Sequence, residues 1–135
     1  MTYTTKFQSM ADIAMSRVEG ISPQDVDRLL SDGAIALNIR DREEHDVGHI
    51  DGSLNISRGK LEMNLEEQIA DLNTVILCYC NANNWGALSA AALCSMGYVN
   101  AKYIAGGLKA YRASKIYRSA KIRFLDIADL RKMNS

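Results

Sequence analysis

An α/β fold with a parallel sheet covered by helices on both faces is predicted by three features of the chain. Short apolar runs at residues 34–39, 53–56, 75–79 and 101–104 alternate with segments of helical period. The connections between them are short, the pattern of strand–helix–strand units. The run 75–79, Val-Ile-Leu-Cys-Tyr, has no polar alternation, as expected of a strand buried on both faces.

Each element follows from local signals. Phe7, Met10, Ala11, Ala14 and Val18 recur at helical spacing, which predicts an amphipathic helix over about 6–18, ended by Gly20. Ser22 is placed to cap a second helix and Pro23 to open it, with Leu30 near its end and Gly33 breaking it. Residues 34–39 form a buried strand, and 40–46, Arg-Asp-Arg-Glu-Glu-His-Asp, a charged turn or short helix. After the strand at 53–56, Leu61, Leu65, Ile69 and Leu72 share one stripe of a helix expected over 58–72. The strand 75–79 leads through a polar loop into an alanine-rich helix from about Leu88, stopping near Gly97. A last strand at 101–104 and the Gly106-Gly107 turn release the chain into a final helix. Ile116, Tyr117, Ala120, Phe124 and Ile127 keep the helical period in a C-terminal extension over about 114–132. Its apolar stripe calls for burial, either back on the domain or in a homodimer contact.

Composition narrows the class. With 135 residues, 47% of them hydrophobic and 24% charged, the chain suits one globular domain with a proper core. The net charge is zero, yet residues 1–80 hold seven Lys/Arg against fourteen Asp/Glu, and residues 81–135 nine against two. Solvated faces of opposite sign account for most of this, with an anion site or self-pairing as the functional alternative. The N-terminal residues carry no apolar core of a signal peptide, and no run approaches the roughly 18 apolar residues that span a bilayer. Three cysteines, an odd number, speak against a disulfide scaffold, so a cytoplasmic protein with reduced thiols and no membrane partner is expected. No Cys/His spacing matches a metal site and no glycine-rich loop a nucleotide site, so neither metal nor cofactor is expected. Lys109, Arg112, Lys115, Arg118 and Lys121 repeat every three residues and spiral around a helix, which argues against nucleic-acid binding.

The chemistry concentrates at Cys80. It stands where the strand 75–79 ends, and ligands of parallel sheets bind outside the carboxyl ends of the strands. A thiol there faces the N–H groups and positive dipole end of the next helix, the setting in which cysteines act as nucleophiles. The alternative, a small buried hydrophobe, is a frequent fate of free cysteine. Cys78 points to the same side of the strand and is read as core, as is Cys94 on the following helix. In-strand residues two apart lie about 6.5–7 Å from each other, too far for an unstrained disulfide between Cys78 and Cys80.

Three blocks of the chain resemble the single-domain rhodanese-like proteins. Leu37-Asn-Ile-Arg-Asp-Arg-Glu-Glu-His-Asp-Val-Gly-His-Ile-Asp-Gly-Ser-Leu-Asn-Ile56 is similar to that family's first signature. Ser57-Arg-Gly-Lys-Leu-Glu62 is similar to the Pro-Arg-Gly-x-Leu-Glu of one bacterial subgroup, and residues 96–111 to the closing strand, Gly-Gly turn and helix. The resemblance covers about 21–113. It implies a three-layer sandwich around a five-stranded parallel sheet, with the helices at about 6–18 and 114–132 as additions. It also implies a catalytic cysteine at Cys80 that takes up sulfane sulfur as a persulfide.

The chain departs from the family's Cys-x-x-Gly-x-Arg-Ser loop: Asn83 stands for the glycine, Trp85 for the arginine, and Asn38 for a strand-end aspartate. A guanidinium in the loop would hold an anionic donor such as thiosulfate. The related phosphatases need an arginine where this chain has Gly86, so phosphate ester hydrolysis is disfavoured. The expected site is therefore Cys80 as nucleophile, with substrate held by the backbone of Asn81, Ala82, Asn83, Asn84, Trp85 and Gly86. Arg58 is added as an anion contact, its alternative role being a salt bridge to Glu62 four residues on. Arg40 with Glu43 or Glu44, and His49, are read as fold residues. The expected partners are a small sulfur donor and a protein thiol or persulfide. The alternative function is a catalytically silent binding or regulatory module.

Overall fold

The computed structural model describes residues 3–116. The expected part of the C-terminal extension from residue 117 on lies outside the described residues. Five strands, β1 (Gly20–Ile21), β2 (Ile35–Asn38), β3 (Leu54–Asn55), β4 (Ile76–Tyr79) and β5 (Ala101–Ile104), form one sheet in the order β1-β5-β4-β2-β3. All pairings are parallel. β4 is central, with Leu37 opposite Cys78 and Asn38 opposite Tyr79 on one side, and Ala101 opposite Ile76 on the other.

Alternation along the strands divides the core in two. Leu37, Cys78 and Cys80 face one layer, where Leu61 and Leu65 of α4 (Leu61–Gln68) meet Leu93 of α5 (Asn84–Ser95). Ala36, Leu77 and Tyr79 face the other, with Val26 of α2 (Val26–Ser31), Ile50, and Leu108 of the helix α6 over residues 107–116. α1 (Thr5–Arg17) packs on α5 and buries Ala11 and Ala14, and α3 (Arg42–Val47) follows β2. The α/β sandwich and five-stranded parallel sheet match the expectation.

Four boundaries differ. β1 was not expected, because two residues are too short for a pattern. Ser22 makes no capping bond; its hydroxyl meets the Gln24 side chain, and a 3-10 turn over Pro23–Asp25 precedes α2. α4 ends at Gln68, leaving Leu72 46% exposed, while Ile69 stays buried with its carbonyl accepting from the Tyr98 hydroxyl at 2.6 Å. The helix after Cys80 begins at Asn84, so half of the expected loop is its first turn.

Candidate functional site

The polypeptide leaves β2 toward β3 and leaves β4 toward β5, so the carboxyl ends of β2 and β4 border the switch point of the sheet. This is where open α/β sheets place ligands. A cleft of about 340 Å³ lies there. Its walls come from the residues just after three strands: Ile39, Arg40 and Asp41 after β2, Arg58 and Gly59 after β3, and Cys80, Asn81 and Ala82 after β4. Asn84 and Trp85 from the first turn of α5, Glu44 from α3 and Tyr3 complete it. Cys80 is 8% exposed at its base.

The Cys80 loop is held from behind. Leu108 N–H donates to the Cys80 carbonyl at 2.9 Å and Lys109 N–H to the Asn81 carbonyl at 3.3 Å. Asn83 Oδ1 accepts from Gly106 N–H at 2.7 Å. The N–H and C=O of a trans peptide point in opposite directions. With these carbonyls turned onto α6, the N–H groups of Asn81 and Ala82 are directed away from it. Gly107, at φ +62°, permits the close approach: a Cβ there would stand 2.4 Å from the Ala82 oxygen and 2.5 Å from the Cys80 oxygen. Gly86 lets α5 start directly over β4, since a Cβ would lie 3.3 Å from the Cys78 oxygen.

Of the expected substrate-binding residues, Arg58, Asn81, Ala82, Asn84 and Trp85 line the cleft with Cys80. Asn83 and Gly86 do not line it; the first is spent on the Gly106 turn and the second on the α5–β4 contact. Arg58 makes the salt bridge to Glu62, Nη1 to Oε1 at 2.6 Å, and also lines the cleft. Arg40 was read only as a fold residue. Its Nη1 does donate to the Gly48 carbonyl at 2.9 Å, and its Nε lies 3.5 Å from Glu44 Oε2, close enough for an ion pair but not aligned as a hydrogen bond. Yet Arg40 borders the same cleft. The Nε atoms of Arg40 and Arg58 are buried with no hydrogen-bond partner among the described residues. Arg40 was findable by the logic applied to Arg58, since it directly follows a strand.

Beneath the cleft, Asn38 fixes a histidine pair. Its Oδ1 accepts from Arg40 N–H at 3.1 Å, which leaves Nδ2 to donate to His45 Nδ1 at 2.9 Å. That nitrogen must then be unprotonated. Burial, with the stacked His49 ring 3.8 Å away, lowers the His45 pKa below its ordinary 6.5. His49 Nδ1 in turn bonds the His45 carbonyl at 2.7 Å, the fold role expected of it. Cys78 is fully buried, and desolvation pushes its thiol far up, consistent with a core residue; Cys94 is only partly buried.

The parallel sandwich, with a cysteine-headed loop at its switch point and a Gly-Gly turn clamping that loop, defines a rhodanese-like fold. The chain belongs to the rhodanese-like domain family, whose model matches residues 22–114. It is 32% identical over 100 residues to the thiosulfate sulfurtransferase GlpE of Ectopseudomonas mendocina, covering 74% of this chain and 90% of that one. Among solved structures it resembles a Rhodopseudomonas palustris protein described as of unknown function and a possible tyrosine phosphatase. That match has a TM-score of 0.73 and 28% identity, over 85% of this chain and 95% of the other. The human single-domain sulfurtransferase TSTD1, at 24% identity and TM-score 0.61 over 71% and 96% of the two chains, shares the fold. The family to which the chain belongs thus includes relatives named as thiosulfate sulfurtransferases. Among the described residues, no helix is long and apolar enough to cross a membrane.

Proposed function

We propose that Cys80 takes a sulfane sulfur from a small donor, holds it as a persulfide and passes it to a thiol or to cyanide. The observation that carries this reading is the placement of Cys80 at the base of a cleft, with its loop carbonyls turned away onto α6. In the first step the Cys80 sulfur attacks the donor's outer sulfur. A new S–S bond forms, the donor's S–S bond breaks, and its electron pair leaves with the remainder, sulfite in the case of thiosulfate. In the second step the acceptor attacks the outer sulfur of the persulfide, and the Cys80 sulfur leaves with the bonding pair. The terminal sulfur carries negative charge between the steps, and the N–H groups of Asn81, Ala82 and the first turn of α5 are the donors available to it. Arg58, at the rim, contacts an anionic donor in place of the loop arginine that Trp85 replaces.

The relatives named thiosulfate sulfurtransferases support the same chemistry. The test is thiocyanate formation from cyanide and a sulfane-sulfur donor. Turnover in the parent protein and its loss in Cys80→Ser are expected. Equal turnover in both proteins would overturn the assignment. Absence of turnover with every donor would favour the second reading, a silent binding module, which the half-exposed Trp85 motivates.

A further inference from the structure

The N-terminal residues lie outside the segment matched by the family, yet Tyr3 lines the cleft and Phe7 of α1 backs its aromatic side. Phe7 stands between Tyr3 and Trp85, with ring centroids 5.4 Å from the first and 5.1 Å from the second. Both outer rings line the cleft and both remain exposed, Tyr3 at 45% and Trp85 at 44%. The wall is fixed by a reciprocal amide pair. Asn84 Nδ2 donates to Gln8 Oε1 at 3.0 Å and Gln8 Nε2 donates to Asn84 Oδ1 at 3.3 Å, so the first turn of α5 is pinned to α1. Among the described residues, the charges of the lining cancel: Arg40 and Arg58 stand with Asp41 and Glu44.

These features bear on which donor fits. Thiosulfate is a compact dianion of a few atoms; it would leave most of about 340 Å³ unfilled and would meet two carboxylates as well as two guanidiniums. A monoanion with a flat apolar group uses both halves of the site. Its ring lies along Tyr3 and Trp85, where aromatic pairs are favoured at centroid separations of about 4.5–7 Å. Its anionic head turns toward the arginines.

Resting on the persulfide reading above, we propose that the Tyr3–Phe7–Trp85 wall selects sulfane-sulfur donors that carry an aromatic ring, of the arylthiosulfonate class. The reaction balances as that reading requires. The Cys80 sulfur bonds the terminal sulfur of the thiosulfonate, the S–S bond to the sulfonyl group breaks, and its electron pair leaves on the arylsulfinate.

The experiment measures kcat/KM of the full chain for benzenethiosulfonate and for the methanethiosulfonate anion, with cyanide as acceptor. Each value is divided by the donor's rate with free cysteine, to remove intrinsic reactivity. The normalised ratio is expected to favour benzenethiosulfonate by about tenfold, the scale of one or two aromatic contacts. Phe7→Ala, which removes the support of the wall without touching Cys80, and Trp85→Ala, which removes a face of it, should each lower the ratio several-fold through KM. Phe7→Leu should retain most of it. A parent ratio near one, or a ratio unchanged in both alanine variants with far-UV circular dichroism intact, would overturn the proposal. In that case turnover of either donor would leave the role of Cys80 standing. Turnover of neither donor would overturn both.

Discussion

Gly107→Ala tests how the clamp behind Cys80 works, because its cost separates into two parts. Gly107 sits at φ +62°, where a residue with a Cβ costs about 1–2 kcal/mol. Gly52, at φ +79° with nothing among the described residues within 4 Å of its would-be Cβ, carries this backbone cost alone. At Gly107 the new methyl would also meet the Ala82 oxygen at 2.4 Å and the Cys80 oxygen at 2.5 Å. Contacts under 3.0 Å are not sustained by real Cβ atoms, so the loop must retreat by about 0.6 Å or more. That retreat strains the bonds from Leu108 and Lys109 N–H to the loop carbonyls, each worth about 0.5–1.5 kcal/mol. The sum is a destabilisation of about 2–5 kcal/mol for Gly107→Ala, against about 1–2 kcal/mol for Gly52→Ala. A displacement near 1 Å at a reacting group costs up to about 100-fold in rate, so sulfur transfer should fall by about 10- to 100-fold in Gly107→Ala and stay unchanged in Gly52→Ala. Urea unfolding and thiocyanate formation read the two effects. Equal stability of the two variants with parental activity in both would refute the clamp.

Two further predictions concern the layers beneath the site. The Tyr79 hydroxyl accepts from Ile50 N–H at 3.1 Å and bonds Ser53 Oγ at 2.8 Å, on the face of β4 opposite Cys80. Tyr79→Phe strands a buried N–H and should cost about 1–3 kcal/mol in urea unfolding with sulfur transfer preserved; a loss below about 0.5 kcal/mol would contradict it. The lowered His45 pKa predicts a pH dependence of stability. Below pH 6.5 the unfolded chain binds a proton that the folded one resists, so stability present above 6.5 is lost as pH falls toward the folded pKa. Asn38→Asp offers His45 Nδ1–H an acceptor and should flatten that loss between pH 7.5 and 5.5. An identical slope in parent and variant would show that the Asn38–His45 bond does not set it.

The fold was legible because its signals are local and mutually consistent. The unalternated run at residues 76–79, the stripe of Leu61 and Leu65, and the Gly106-Gly107 turn each announce a parallel sheet with covering helices. What stayed hidden depends on contacts distant in sequence. The start of α5 at Asn84 is invisible in an asparagine-rich stretch, since Asn83 makes no capping bond and is instead engaged by Gly106. β1 exists because Gly20 and Ile21 pair with Tyr103 and Ile104, more than 80 positions away. Of the site, Cys80, its loop and Arg58 were readable from their place after strands. Of the aromatic wall, Trp85 fell within the expected site but Tyr3 and Phe7 did not, because Phe7 showed only helical spacing and gave no sign that its neighbour would be Trp85.

The most direct test of the central claim is the intact mass of the protein after incubation with benzenethiosulfonate and, separately, with thiosulfate and polysulfide. The account predicts the gain of one sulfur atom, removed by cyanide and absent in Cys80→Ser. Gain of sulfur in Cys80→Ser, or no gain from any donor while Cys80 still reacts with iodoacetamide, would contradict it.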